Sequence, residues 1–121
     1  MRRLLPLAFV LLGLAACGGD DGGGGGEQGA SSEACPSGSV QIKMVDIQFD
    51  PKDATANVGQ QVCWVNEDTI EHNAVADGDE FKSELFGKGK TFTATLDAPG
   101  EIPYVCTVHP GMTGTLTVKE R

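Results

Sequence analysis

Val40, Ile42 and Met44 alternate with Gln41 and Lys43, the two-residue period of a strand with one buried face. Short runs rich in β-branched residues follow at 62–66, 90–96, 102–108 and 113–119. Turn signals separate them: Asp50-Pro51, Val58-Gly59, Asp77-Gly78, Gly87-Lys88-Gly89 and Ala98-Pro99-Gly100. No long window carries a 3.6-residue apolar stripe. Residues 81–86 offer one helical turn at most, and glycines stop it. The pattern predicts an all-β, antiparallel Greek-key sandwich or small barrel of about seven to eight strands.

The start of the chain is built differently. Met1-Arg2-Arg3 precedes an apolar run over residues 4–16, broken only by Pro6 and Gly13. As a helix it would reach about 20 Å, short of a hydrocarbon core of about 30 Å. It reads as an export signal rather than a membrane span. The run ends in Leu14-Ala15-Ala16-Cys17, which resembles the lipobox of bacterial lipoproteins. That resemblance implies cleavage after residue 16 and a lipid on the Cys17 sulfur.

Composition then divides the remainder. Residues 18–34 hold eight of the seventeen glycines, two serines and four acids, with no aliphatic side chain larger than alanine. Such a segment buries too little apolar surface to offset the entropy of ordering it, so residues 17–34 are expected to form a disordered, flexible tether. Its r.m.s. reach is about 20–25 Å. Residues 35–121 remain as the folding domain, small enough for one core. The formal charge of −8 becomes −10 once 1–16, with two arginines and no acid, is removed. An acidic chain lacks the clustered Lys and Arg of a nucleic-acid binder.

The sharpest chemical signal is Cys106-Thr107-Val108-His109-Pro110-Gly111-Met112, a Cys-x2-His-x2-Met pattern at a strand exit. The one other histidine, His72, stands 34 residues upstream. One thiolate, two imidazoles and a thioether form the donor set of blue-copper electron-transfer sites. Thiolate and thioether favour Cu(I), and imidazole serves both oxidation states. Zinc is the competing occupant of the same donors.

These residues resemble the cupredoxins, copper proteins of the plastocyanin and amicyanin type. The likeness spans residues 39–121 and includes Phe49-Asp50-Pro51, Val62-Cys63-Trp64-Val65-Asn66, His72-Asn73 and Tyr104-Val105-Cys106. The two-residue spacings on either side of His109 are similar to the short ligand loop of amicyanins. The resemblance implies a cupredoxin β-sandwich with one copper ion held by His72, Cys106, His109 and Met112. It further implies that Asn73 ties the two ligand loops together and that the His109 edge serves as the electron port. Glu71 departs from the proline often found before the first ligand, and Gly111 from a bulkier residue.

With Cys17 lipidated and Cys106 on the metal, Cys35 and Cys63 are left over. In an oxidising compartment they are expected to form a disulfide, with two buried free thiols as the alternative. The pattern also fits a different framework. In immunoglobulin-like sandwiches a cross-sheet disulfide packs on a tryptophan and a tyrosine lies two residues before the second cysteine, as Tyr104 does before Cys106. There Cys63 would pair with Cys106, but Trp64 follows Cys63 directly and would point to the opposite face.

The functional expectation is a non-enzymatic, monomeric one-electron carrier, exported and lipid-anchored at the extracytoplasmic face of a bacterial membrane, in the periplasm or at the cell surface. Its expected partners are redox proteins such as a c-type cytochrome, a dehydrogenase or an oxidase. Glu67, Asp68 and Glu71, with Asp77, Asp79 and Glu80, either steer a basic partner or form a solvated surface. The alternatives are a metal-free immunoglobulin-like interaction domain and a copper-delivery protein. Delivery proteins usually carry spare Met and His ligands, and here no histidine is spare. The missing Cys-x-x-Cys-His excludes c-type haem attachment.

Overall fold

The computed structural model describes residues 34–120. The predicted signal segment (1–16), Cys17 and the tether up to residue 33 lie outside the described residues. The remainder is all-β, with eight strands: β1 (Val40–Val45), β2 (Gln48–Asp50), β3 (Asp53–Asn57), β4 (Gln61–Asn66), β5 (Val75–Ala76), β6 (Thr91–Thr95), β7 (Gly100–Val105) and β8 (Thr113–Lys119). They form two four-stranded sheets, ordered β2-β1-β4-β6 and β3-β8-β7-β5.

The expectation of a wholly antiparallel sandwich needs correction. β1 runs parallel to β4, and β3 parallel to β8. The chain crosses between sheets before returning beside an earlier strand, and alternation within a strand carries no information about its neighbour's direction. The 102–108 run also stops early. Its ladder ends at the Val105–Thr113 pair, and residues 106–112 form a loop. Residues 81–86 are not helical but extended, bridging to Val75 through Lys82 and to His72 through Phe86.

The two-residue period sorts side chains as expected. Ile42 and Met44 on β1, Val62 and Trp64 on β4, and Ile102 and Tyr104 on β7 all face the core. Trp64 stands at its centre, its ring 4.8 Å from Phe81 and 5.5 Å from both Phe92 and Tyr104. Phe49 closes on Tyr104 at 4.6 Å. Each buried ring of this size is worth about 1.5–3 kcal/mol, so the cluster is the main clamp between the sheets.

Cys63 lies between Val62 and Trp64 and therefore on the outer side of its sheet, yet it is fully buried. The segment before β1 covers it, fastened by a Cys35–Cys63 disulfide with a Cα–Cα distance of 5.7 Å. Cys106 is a free, buried thiol. The immunoglobulin-like pairing of Cys63 with Cys106 is thereby excluded.

Candidate metal centre

The strand period that fills the core also aims the site. Ile102, Tyr104 and Cys106 are inward at every second position, so Cys106 continues the buried face of β7 past its last ladder pair. The Cys106 N–H then donates to the Met112 carbonyl at 3.0 Å, and the Met112 N–H to the His109 carbonyl at 3.1 Å. These two bonds fold 106–112 into a short closed loop. Gly111 adopts φ +86°, a left-handed conformation that explains glycine where the resemblance suggests a bulkier residue. Met112 is buried at the foot of the loop, bonded through its backbone to Cys106 and His109.

His72 comes from the connection after β4. Its backbone is held to Phe86 by two reciprocal hydrogen bonds, 3.2 and 2.9 Å. Its fully buried ring meets that of His109. The two Nδ1 atoms are 3.1 Å apart, and the Cys106 Sγ lies 3.9 Å from His72 Nδ1 and 3.4 Å from His109 Nδ1. All three donor atoms fall within 4.8 Å of one another. Residues 34 positions apart thus converge, while His109 stays half-buried and reaches solvent. A soft sulfur and two ring nitrogens facing one point suit a thiophilic transition metal, with the buried Met112 beside them.

The Asn73 side chain reaches the loop that carries Cys106. Its Nδ2 donates to Thr107 Oγ1 at 2.9 Å, and its Oδ1 accepts from the Thr107 N–H at 2.8 Å. This pair clamps the loop of His72 to the loop of Cys106.

Two contributors were not legible as such. Asn66 is fully buried; its Nδ2 donates to the carbonyls of Ile70 and Phe86, each at 2.8 Å, and its Oδ1 accepts from the Asp68 N–H at 2.8 Å. The Asn-x-Asp spacing after a strand is an Asx-turn signal. Asp68 is withdrawn from the acidic surface to which the sequence assigned it. Its carboxylate accepts from the amides of Asp46 (2.8 Å) and Ile47 (2.9 Å) and lies 2.7 Å from His72 Nε2. Burial pushes the Asp68 carboxyl up, but the Ile47 amide, the His72 ring and the Asp46 amide outweigh it and hold the group below its ordinary value. Glu67, Glu71, Asp77, Asp79 and Glu80 remain exposed.

Comparison with known proteins gives a consistent picture. The family model described as copper binding proteins, plastocyanin/azurin family, matches residues 36–119. Amicyanin-alpha of Methylorubrum extorquens is 30% identical over 92 residues, covering 72% of this chain and 77% of that protein. Amicyanin of Paracoccus versutus is 26% identical over 98 residues, covering 77% and 74%. The minor plastocyanin isoform of Arabidopsis thaliana is 33% identical over 88 residues, 60% of this chain and 52% of that one. Among solved structures, an oxidised proline-to-alanine variant of amicyanin superposes with a TM-score of 0.72 at 21% identity, over 78% of this chain and 95% of the other.

Proposed function

This chain belongs to the plastocyanin/azurin family of copper-binding proteins, and from that premise we propose that it is a blue-copper one-electron carrier holding one copper ion between His72, Cys106, His109 and Met112. The observation that carries the reading is the convergence of both Nδ1 atoms and the Cys106 Sγ within 4.8 Å, beneath a half-buried His109.

Copper, when bound, supplies a Cu(II)/Cu(I) couple; everything else is done by the chain. Cys106, delivered by the last inward position of β7, provides the thiolate. His72, fully buried, provides a ring nitrogen shielded from water. The Asn73–Thr107 pair keeps the two loops from parting. A donor set fixed by two packed sheets changes little between oxidation states, which keeps the barrier to electron transfer low. His109, the ring with access to solvent, is the port through which a redox partner exchanges the electron. That partner is a small redox protein such as a c-type cytochrome, or a dehydrogenase or oxidase, and the chain acts as a carrier rather than a catalyst. The lipobox-like sequence at Cys17 supports tethering to the extracytoplasmic face of a bacterial membrane.

The test is the visible spectrum of the purified protein with Cu(II). An intense blue thiolate-to-copper band, absent from Cys106→Ser, is expected. A protein that stays colourless after loading under oxidising conditions overturns the reading and leaves zinc as the metal to try. Palmitate labelling of the expressed precursor, lost in Cys17→Ala, tests the anchor.

A further inference from the structure

The β1–β2 connection is a two-residue hairpin turn, with Val45 paired to Gln48 and only Asp46 and Ile47 between them. Both turn residues are left-handed, at φ 55° and 59°. Such a turn favours Asn-Gly or Gly-containing pairs, and a β-branched isoleucine there is strained. Something must hold it. The Asp68 carboxylate accepts from both turn amides, 22 and 21 residues away in sequence.

The same carboxylate lies 2.7 Å from His72 Nε2. An ionised carboxylate only accepts, so Nε2 is the nitrogen that carries the proton, and the His72 Nδ1 lone pair is left facing Cys106 and His109. Asp68 is itself aimed by Asn66, whose Oδ1 takes the Asp68 N–H and whose Nδ2 pins the Ile70 carbonyl. One side chain therefore joins the hairpin turn, the connection after β4 and the buried imidazole.

We propose that Asp68 is a positioning residue of the metal centre, fixing the tautomer and orientation of His72 and making its ring a more electron-rich donor. The inference rests on the copper-carrier reading for its effect on the metal, but not for its effect on the ring. Hydrogen bonding of a ligand imidazole to a carboxylate raises its basicity. A more basic donor favours the oxidised metal over the reduced one. The carboxylate thus lowers the reduction potential.

Two measurements test this independently. Nitrogen-15 NMR of the copper-free protein at neutral pH should show His72 with its proton on Nε2 and Nδ1 bare, and Asp68→Ala should lose the hydrogen-bonded Nε2–H signal. A proton found on Nδ1 in the unaltered protein overturns the proposal, whatever metal it binds. In the copper-loaded protein, Asp68→Asn and Asp68→Ala should both shift the reduction potential upward. The turn is controlled by adding Asp46→Asn with Ile47→Gly to Asp68→Ala, since Asn-Gly takes the left-handed turn unaided. Stability should recover while the potential stays shifted. A potential that returns with the repaired turn, or never moves, reduces Asp68 to a support of the hairpin. A blue wild-type spectrum with either of those results refutes the Asp68 role alone; a colourless one refutes the copper reading instead.

Discussion

Asn73 and Thr107, 34 residues apart, exchange two hydrogen bonds: amide Nδ2 to hydroxyl at 2.9 Å and backbone N–H to Oδ1 at 2.8 Å. Each residue is the immediate neighbour of a donor in the cluster, Asn73 of His72 and Thr107 of Cys106. Asn73→Ala should therefore loosen the site as well as the domain. We expect a loss of about 1–3 kcal/mol in urea unfolding of the copper-free protein and faster release of copper to a chelator. Thr107→Ala removes one bond of the two and should cost less. Additive effects in the double variant would show that the two side chains do not act as a pair.

Gly114 is required for a different reason. A Cβ there would come within 2.6 Å of the Tyr104 ring, 2.7 Å of its hydroxyl and 3.0 Å of the Lys52 carbonyl. The ring has nowhere to go, being held by Phe49, Trp64 and Phe81 at 4.6, 5.5 and 5.6 Å. Gly114→Ala should destabilise by about 1–3 kcal/mol, the usual cost of overpacking. The midpoint in urea should fall with an unchanged slope; an unshifted midpoint would mean that the aromatic cluster yields.

Burial pushes the Tyr104 hydroxyl up from 10 to about 12, eased slightly by Trp64 and raised further by Asp53. Neither that hydroxyl nor the Trp64 Nε1–H completes a hydrogen bond of standard geometry, although the two side chains are close. The folded state holds this proton more tightly than the unfolded chain. Its contribution is thus intact below pH 10 and is lost as pH rises from 10 through 12, at most about 3 kcal/mol. Tyr104→Phe should flatten the decline over that window in the copper-free protein and change stability little at pH 7. A slope as steep as that of the parent would assign the alkaline loss to other groups.

The Cys35–Cys63 bridge closes a separation of 28 residues. In the chain-entropy model it is worth about 3–4 kcal/mol. Cys35→Ala or a reductant should lower stability by that order, while the blue band of the copper-loaded protein keeps its position. Thiol titration of the unfolded, copper-free domain should find one free thiol, Cys106, among residues 34–120. Finding three would refute the bridge.

Much of the fold was legible because its signals are local. The two-residue period that places Ile42, Trp64 and Tyr104 in the core depends only on neighbouring residues. Strand direction was not: β1 and β4 run parallel because of where the chain crosses, and no alternation records that. β2, β3 and β5 are short, and Asp53–Asn57 owes its strand to pairing with β8. The metal cluster was legible for a related reason. Cys106, His109 and Met112 share one loop, so their spacing survives in the linear sequence, and His72 was the one histidine left to complete the set.

Asp68 marks the boundary. By sequence it is one acid among Glu67, Glu71 and their neighbours, with nothing to separate a solvated carboxylate from one half-buried against a ligand ring. Its partners, Asp46, Ile47 and His72, belong to a hairpin some twenty residues away and a ring four residues on. Residue types and their spacing determined which donors are available and that they can meet. Tertiary packing decided which carboxylate lies beneath His72 and which ring reaches solvent, because desolvation and hydrogen-bond geometry exist only once the sheets have closed on one another.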